Sequence, residues 1–216
     1  MDLRVPLAVV TPTLDAAVLQ ALAATTSWAS GAQVHRVAGT GSVDGVRKVL
    51  TRLVAQGIVA AQDQPPATLY VLNRDHVAAE AVVALTRLRL VIIDRIAVEV
   101  TAWAPPLVHA SLFGSFARGE ADEGSDIDIL LIPATTTGPG SDSAAAAVVE
   151  HGLELATSQL TKDVYRWTGN RAHLVTATLD VVAGMVAAGD PLVESWRADH
   201  VHLTGARLLD VLRRAS

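Results

Sequence analysis

Apolar residues recur every three or four positions in three segments near the start of the chain, which is the spacing of one buried helix face. The first segment follows Thr11, which we expect to cap a helix with Pro12 in its first turn. Ser30 and Gln33 have the spacing of a capping box and predict a short second helix. Ser42 precedes a third apolar stripe as its expected N-cap. The pattern therefore predicts three consecutive helices.

A glycine and a change of pattern mark the end of this helical region. Gly57 has the position of a helix C-terminal glycine. Two short apolar segments, Ile58–Ala61 and Thr68–Leu72, then flank the polar tip Gln62–Pro66 and are expected to pair as a hairpin. Three helices followed by a hairpin predict a mainly α winged helix-turn-helix domain over residues 1–73.

The next segment, residues 74–104, has a mainly helical pattern and predicts a connecting helix or a pair of helices. The β-branched run Val91–Ile93 leaves a strand as the alternative for its second half. The two prolines that follow Ala104 end the helical pattern.

Strand and helix patterns alternate in the remaining residues, 105–216, which predicts an α/β (α+β) domain built on a sheet. The first predicted strand is a short, mainly apolar run, as a buried strand is. The expected elements, in chain order, are a strand at Leu107–Phe113, a strand at Ile127–Ile132, a loop at Ala134–Ser143, a helix from Ala144 to Trp167, a strand at Ala172–Thr178 and short helices around Val201–Leu203.

The composition limits which metal ligands and nucleophiles the protein can have, and it indicates where in the cell we expect the protein. The chain has no cysteine, so thiolate metal sites and thiol nucleophiles are excluded, and cations bound by oxygen become the expected metals. No run of about 20 uncharged apolar residues appears, and the short apolar N-terminus is unlike an export signal, so we expect a cytoplasmic protein without a membrane segment. The net charge of -5 is uneven: residues 1–75 hold six Lys/Arg against five Asp/Glu, and the rest hold 11 against 17.

The most informative stretch joins the first two predicted strands of the second domain. Gly114 and Ser115 follow the first strand and open a short helical turn, an arrangement that lets backbone N–H groups approach a phosphate. Asp126 and Asp128 are two residues apart at the start of the second strand, so their carboxylates project on one face while the neighbouring isoleucines turn to the core. Two carboxylates beside a phosphate cradle are what a Mg²⁺-dependent phosphoryl or nucleotidyl transfer site requires.

The segment LVHASLFGSFARGEADEGSDIDILLI closely resembles the nucleotidyltransferase signature of the polymerase-beta superfamily, and within it the minimal nucleotidyltransferase domains of bacteria. The shared pattern is a glycine-serine turn, a basic residue, a glycine and Ser-Asp-x-Asp, which together are more specific than any one part. The resemblance implies that Gly114 and Ser115 hold a triphosphate and that Asp126 and Asp128 are catalytic residues that bind Mg²⁺ or Mn²⁺. It also implies transfer of a nucleoside monophosphate from an NTP to a hydroxyl of a protein or small-molecule acceptor.

The family usually has a third carboxylate on a later strand, and the candidate strand Ala172–Thr178 contains no Asp or Glu. The residue expected to face the site there is His173, which we predict to act as a base. Asp163 or Asp180 is the alternative if the register differs. If no such group reaches the site, the domain binds nucleotide without turnover. The second hypothesis is therefore a DNA-binding transcriptional regulator that only binds nucleotide.

Arg118, at the end of the short helical turn, is interpreted either as a nucleotide phosphate contact or as an exposed arginine. The other histidines and the tryptophans show neither metal-ligand spacing nor a stacking platform, so we expect them to pack or to face solvent. These residues are His35, His76, His109, His151, His200, His202, Trp28, Trp103, Trp167 and Trp196.

The polar face of the predicted third helix carries three cations, Arg47, Lys48 and Arg52. On a recognition helix they would approach the major groove and the phosphates of double-stranded DNA. The alternatives are a solvated helix face and a docking or dimerisation role, since winged helices also join protein copies into homodimers.

Overall fold

The computed structural model describes residues 1–104, 106–134 and 143–214, with the backbone alone for residues 143–146. The chain divides into two compact units. One unit comprises residue 2 and residues 4–89, and the other comprises residues 1, 3 and 90–216. The three-part division expected from the sequence stays a prediction. None of the helices within the described residues combines the length and the apolar character that a membrane crossing needs.

The first unit, residues 2 and 4–89, contains four α-helices and a small sheet among its described residues. Its elements in chain order are a 3-10 turn at Pro6–Val9, α1 (Leu14–Ala23), β1 (Ala29–Ser30), α2 (Gly31–Ala38), α3 (Val43–Ala55), β2 (Val59–Gln64), β3 (Ala67–Leu72) and α4 (Ala79–Thr86). The strand order is β1-β3-β2, and both pairs are antiparallel. The β2–β3 hairpin is longer than predicted, because pairing continues to the two prolines of its tip. The sequence missed β1, since two residues are too few for a periodic pattern.

Helix ends in this unit follow local hydrogen bonds. The Ser30 hydroxyl accepts from the Gln33 N–H at 3.3 Å, and the Gln33 side chain accepts from the Ser30 N–H at 2.7 Å, which confirms the predicted capping box. The Ser42 side chain caps α3 as predicted. The predicted start of the first helix, with Thr11 as cap and proline in the first turn, is wrong. The Thr11 N–H donates to the Leu7 carbonyl of the preceding 3-10 turn, Thr13 is the N-cap, and α1 begins only at Leu14.

The second unit, residues 1, 3 and 90–216, is built around a four-stranded mixed sheet. Its elements are α5 (Leu88–Thr101), whose first two residues belong to the other unit, β4 (Leu107–Phe113), α6 (Gly114–Arg118), β5 (Ile127–Pro133), α7 (Ser143–Thr168), β6 (Ala172–Thr176), α8 (Leu179–Ala188), α9 (Pro191–Asp199), β7 (Val201–Gly205) and α10 (Leu208–Arg214). The strand order is β6-β5-β4-β7. β5 and β6 are parallel, and the other two pairs are antiparallel.

The predicted strands of this unit are confirmed with small changes of limits. β4 has its expected bounds, β5 extends by one residue, and β6 is two residues shorter than predicted. The run Val91–Ile93 lies in a helix, so the alternative of a strand there is wrong. The expectation of only short helices around Val201–Leu203 is also wrong, because this segment forms the edge strand β7. Residues 135–142 of the predicted loop lie outside the described residues.

Helices cover both faces of the sheet and divide the core in two. On one face Ile129 packs with apolar residues of α5 and α7, including Ile96. On the other face Leu130 packs with residues of α8, α9 and α10, including Trp196. Because side chains alternate along a strand, Asp128 shares the face of Leu130 and lies at the end of the strand, where the core stops.

We predict that Gly205→Ala lowers the free energy of unfolding by about 2 kcal/mol or more. Gly205 has φ +81°, and an added Cβ would collide with the carbonyl oxygen of Val108 on the neighbouring strand. Denaturant unfolding measures the loss. Gly189→Ala is the matched control, because Gly189 has φ +64° but nothing within 4 Å of the added carbon. Equal losses in the two variants would mean that the collision contributes nothing.

We predict that the unit becomes less stable as the pH falls from about 6.5 to about 4. Burial lowers the pKa of His109 to about 4, while the Ala206 carbonyl that accepts a hydrogen bond from its ring opposes this shift. The unfolded chain therefore binds the proton more tightly, and protonation favours unfolding. Between pH 7 and pH 5 the expected loss is about 2 kcal/mol. Denaturant unfolding of the wild type and of His109→Gln checks this prediction. If the free energy of unfolding changes equally with pH in the two proteins between pH 7 and pH 5, the prediction is wrong.

Candidate functional site

The turn between β4 and α6 brings the backbone close to a carboxylate. Gly114 has φ +69°, a conformation that side chains disfavour, and α6 ends at Arg118, followed by Gly119 with φ +77°. A Cβ added at Gly114 would lie 2.5 Å from Oδ2 of Asp128. Only glycine therefore allows this close approach. Ser115, the next residue, is half-buried in the first turn of α6.

Asp128 also pairs with the neighbouring strand. β5 and β6 are parallel with Asp128 opposite His173, and His173 Nδ1 lies 3.0 Å from Asp128 Oδ1. The carboxylate side chain is 23% exposed and the imidazole is 62% exposed, so the pair borders the core and opens to solvent. Asp126 precedes the first residue of β5 and is exposed. Ile127 between them is fully buried, as the alternation predicts.

The loop that carries Asp126 is fixed by hydrogen bonds. The Asp122 carboxylate accepts from the Ser125 hydroxyl at 2.8 Å and from the Gly124 N–H at 3.0 Å. The Asn170 side chain donates to the carbonyl oxygens of Asp122 and Ser125 at 2.8 and 3.0 Å. Asn170 is 1% exposed and follows α7 in the chain. Sequence reasoning missed this residue, because a buried asparagine far along the chain carries no periodic signal.

Arg118 is engaged by two carboxylates. Its Nε donates to Glu120 at 2.7 Å, and its Nη1 donates to Asp199 at the end of α9. The hydrogen bonds with Glu120 and then Asp199 raise the pKa of the guanidinium. The Asp199 side chain is 12% exposed, so this ion pair attaches α6 to a largely buried carboxylate of α9. A phosphate contact for Arg118 stays a prediction.

Asp163 and Asp180, the carboxylates offered as alternatives to His173, make no contact with Asp128 among the described residues. Asp163 on α7 accepts from Gln159 at 3.0 Å and from Arg166 at 2.6 Å, and these hydrogen bonds lower its carboxyl pKa. Asp180 lies in the first turn of α8. The residue that the sheet places opposite Asp128 is His173, as expected from the sequence.

The donor set fits a hard divalent cation that shares its coordination with a substrate. Within residues 1–104, 106–134 and 143–214 no group of three His, Asp or Glu side chains could hold a metal ion. Mg²⁺ is commonly bound by one or two carboxylates together with water and substrate phosphates. Asp126 and Asp128 supply two such carboxylates, both accessible to solvent. Asp126 and Asp128 are therefore the residues that could hold such an ion together with phosphates of a substrate.

In the other unit, the cations predicted to contact DNA are exposed on α3. Arg47 and Lys48 lie 3.6 and 3.0 Å from the carboxylate of Asp44, and Arg52 pairs with Asp15 at the start of α1. The side chains of Arg47 and Lys48 are 76% and 78% exposed. Exposed ion pairs of this kind add little stability and are readily exchanged for other anions.

Comparison with known proteins adds a finding that bears on the β4–α6–β5 segment. Residues 97–154 match the family model of the nucleotidyltransferase domain. The match includes Gly114, Ser115, Asp126 and Asp128. No curated protein matches the chain significantly. A solved structure described as "Crystal structure of the toxin-antitoxin with AMP-PNP" is 18% identical, with a TM-score of 0.33, and the alignment covers 60% of this chain and 82% of that chain.

Proposed function

We propose that the second unit is a Mg²⁺-dependent nucleotidyltransferase that moves a nucleoside monophosphate from an NTP to an acceptor hydroxyl. The observation that carries the proposal is the approach of the Gly114 backbone to the Asp128 carboxylate, with no room for a Cβ between them. A glycine at that point brings the backbone next to Asp128, so a phosphate bound by this backbone would lie beside the carboxylate proposed to bind the metal. The nucleotidyltransferase match over residues 97–154 supports the same activity.

Asp126 and Asp128 would hold Mg²⁺, or Mn²⁺ in its place, and the ion would neutralise charge on the phosphates when bound. Gly114 and Ser115 would bind the triphosphate through the backbone and the hydroxyl. These four residues orient the α-phosphorus toward the incoming acceptor. Orientation and charge neutralisation supply most of the rate enhancement in phosphoryl-type transfers.

His173 is the proposed base. An imidazole that donates from Nδ1 to Asp128 leaves Nε2 free to accept the proton of the acceptor hydroxyl. The acceptor oxygen then forms a bond to the α-phosphorus while the bond to the β-phosphate oxygen breaks. Pyrophosphate leaves, and the proton remains on His173 until solvent removes it. Asp128 orients the ring in this arrangement, as carboxylates do for catalytic histidines.

The activity is tested by incubating the pure protein with Mg²⁺ and each α-labelled nucleoside triphosphate in turn. We expect label in a product and release of unlabelled pyrophosphate, both lost in Asp126→Asn. Calorimetry with non-hydrolysable analogues measures nucleotide binding separately. Label transfer that survives Asp126→Asn, or the absence of both binding and transfer for all four nucleotides, would refute the proposal.

A second candidate function is a nucleotide sensor without turnover. One observation favours it: the residue beside Asp128 on β6 is a histidine, and no third carboxylate completes a group with Asp126 and Asp128 among the described residues. Calorimetry and label transfer separate the two candidates. Heat of binding with Mg²⁺ present, without label in any product, would assign the sensor.

We further propose that residues 1–73 form a winged helix-turn-helix that binds double-stranded DNA, with residues 74–104 as the connection. The element order α1-β1-α2-α3-β2-β3 and the strand order β1-β3-β2 support this fold. The exposure of Arg47 and Lys48 on α3 supports phosphate contacts.

A mobility shift with duplex DNA at several salt concentrations tests DNA binding. Arg47→Ala combined with Lys48→Ala is expected to weaken binding and to lower its salt dependence. Arg87→Ala, which removes an exposed cation at the end of α4, is the control and should bind as the wild type does. No shift at low salt would instead favour a docking or homodimer role for this unit.

A further inference from the structure

The structure holds the two proposed metal ligands in different ways. The Asp128 carboxylate lies against the Gly114 backbone and pairs with His173. Asp126 is exposed, and among the described residues its carboxylate makes no hydrogen bond or ion pair. An exposed carboxylate without a partner can adopt several rotamers, so the region that it can reach is set by its backbone. The position of the Asp126 backbone therefore decides how well the two carboxylates can share one cation.

Both peptide groups that flank Asp126 are hydrogen-bonded to one short segment of the chain. Just before Asp126, the Ser125 carbonyl oxygen accepts from Nδ2 of Asn170 at 3.0 Å. Just after it, the Ile127 N–H donates to the Arg171 carbonyl oxygen at 2.8 Å. Asn170 and Arg171 are consecutive residues between α7 and β6. This segment therefore holds the chain on both sides of the exposed carboxylate.

The Asn170 side chain also holds the start of the same loop. Its Nδ2 donates to the Asp122 carbonyl oxygen at 2.8 Å, so one amide group bridges two carbonyl groups that are three residues apart. Both protons of the amide are used in this way. Asn170 is 1% exposed, so water does not replace these hydrogen bonds without a rearrangement of the chain around them.

The other neighbours of Asn170 fix the orientation of its amide. Its Oδ1 accepts from the Met1 nitrogen at 2.9 Å, and because that nitrogen can only donate, Nδ2 must face the loop. The Asn170 N–H donates to the hydroxyl of the buried Thr168 at 3.0 Å. That hydroxyl donates in turn to the Val164 carbonyl oxygen of α7 at 2.7 Å. The amide that holds the loop is thus attached to the end of α7.

We propose that Asn170 is a positioning residue that holds the Asp126 backbone where the carboxylates of Asp126 and Asp128 can bind the same divalent cation. The inference rests on the proposed Mg²⁺-dependent nucleotidyl transfer. Ligands that are fixed before the ion arrives lose less entropy when they bind it. Hydrogen bonds that orient metal ligands commonly change metal affinity by about 10- to 100-fold. Asn170 acts through the backbone of Asp126 and does not itself touch the ion.

Asn170→Ser tests the proposal, because serine is too short to reach both carbonyl groups and leaves space for water beside them. Amide hydrogen exchange of the full chain, without metal or nucleotide, follows the order of the loop. We expect faster exchange in Asn170→Ser at the N–H groups of Gly124, Ser125 and Ile127, each of which is hydrogen-bonded in the wild type.

Metal binding is followed by calorimetry with a non-hydrolysable nucleotide analogue, once with Mn²⁺ and once with a chelator in its place. The ratio of the two affinities is the gain that the cation gives. We expect this gain to fall by about tenfold or more in Asn170→Ser, while the affinity in the chelator stays as in the wild type. A loss of stability alone lowers both affinities equally and leaves their ratio unchanged.

Asn73→Ser is the matched control. The Nδ2 of Asn73 also donates to a backbone carbonyl oxygen, that of Gly57 at 2.9 Å, but in the other unit. This variant should keep the exchange rates of the loop and the gain from Mn²⁺. Ser125→Ala is a second test, because it removes the hydroxyl that donates to the Asp122 carboxylate and so loosens the same loop. It should show both changes to a smaller extent, even if Asn170→Ser does not fold.

A folded Asn170→Ser protein that keeps the Mn²⁺ gain of the wild type would overturn the inference, whatever its stability. If Asn170→Ser does not fold, unchanged exchange and an unchanged gain in Ser125→Ala would overturn it. In both cases Asp126→Asn still loses the gain, so the metal site stands and only the role of Asn170 is wrong. Failure of the proposed function has a different signature: Mn²⁺ then gives no gain in the wild type, and Asp126→Asn binds the analogue as the wild type does.

Discussion

Asp128→Asn is expected to lower nucleotidyl transfer by about 100-fold or more without unfolding the protein. The asparagine has nearly the same shape, so the packing against Gly114 and the hydrogen bond to His173 can persist. It lacks the negative charge that a divalent cation requires from its ligand. Single-turnover label transfer measures the rate, and thermal unfolding measures stability.

Asp180→Asn is the matched control, because it makes the same chemical change on an exposed carboxylate of α8. We expect its transfer rate to equal that of the wild type. If Asp128→Asn retains a rate within about tenfold of the wild type, the assignment of Asp128 as a metal ligand is wrong.

Gly114→Ala should lower nucleotide affinity by about tenfold or more and also destabilise the second unit. The methyl group would be placed 2.5 Å from Asp128 Oδ2, and alanine disfavours φ +69°. Strain at such a position costs on the order of 1–3 kcal/mol, and the carboxylate must move to relieve the contact. Calorimetry with a nucleotide analogue and denaturant unfolding measure the two effects.

Two further variants separate the causes of the Gly114 effect. Gly184→Ala on α8 adds a methyl group with nothing within 4 Å and should leave affinity unchanged. Asp128→Ala in the Gly114→Ala background removes the colliding oxygen and should recover part of the stability, although not the affinity. A Gly114→Ala protein that binds the analogue as tightly as the wild type would contradict the proposed phosphate approach.

Local features of the sequence predicted much of the fold. The capping box at Ser30 and the cap at Ser42 are confirmed because each is closed by atoms three residues apart. The limits of β4 follow from its mainly apolar composition between Pro106 and Gly114. The prediction failed where two threonines could each precede the helix. Thr11 is still bonded to Leu7 of the preceding 3-10 turn, and Thr13 is the N-cap of α1.

Some residues of the candidate site also have a local sequence signal, and others do not. The glycine turn and the alternation of aspartate with isoleucine are properties of neighbouring residues, so the sequence predicts Gly114, Asp126 and Asp128 as a group. The prediction of His173 depends on which strand lies next to β5. In the structure β6 pairs with β5 in parallel, and this register places His173 opposite Asp128. The Arg118 contact with Asp199, 81 positions later, had no sequence signal.

By itself, the sequence determined the caps at Ser30 and Ser42, the strands β4 and β5 and the glycine-serine and aspartate motif, since these depend on hydrogen bonds and alternation over a few residues. Only the tertiary structure decided that His173 lies against Asp128, 45 positions away, that Asn170 fixes the loop before β5, and that β7 adds a fourth strand at the edge of the sheet. Strand order and helix docking determine such contacts, and they depend on how the whole core packs rather than on any local pattern.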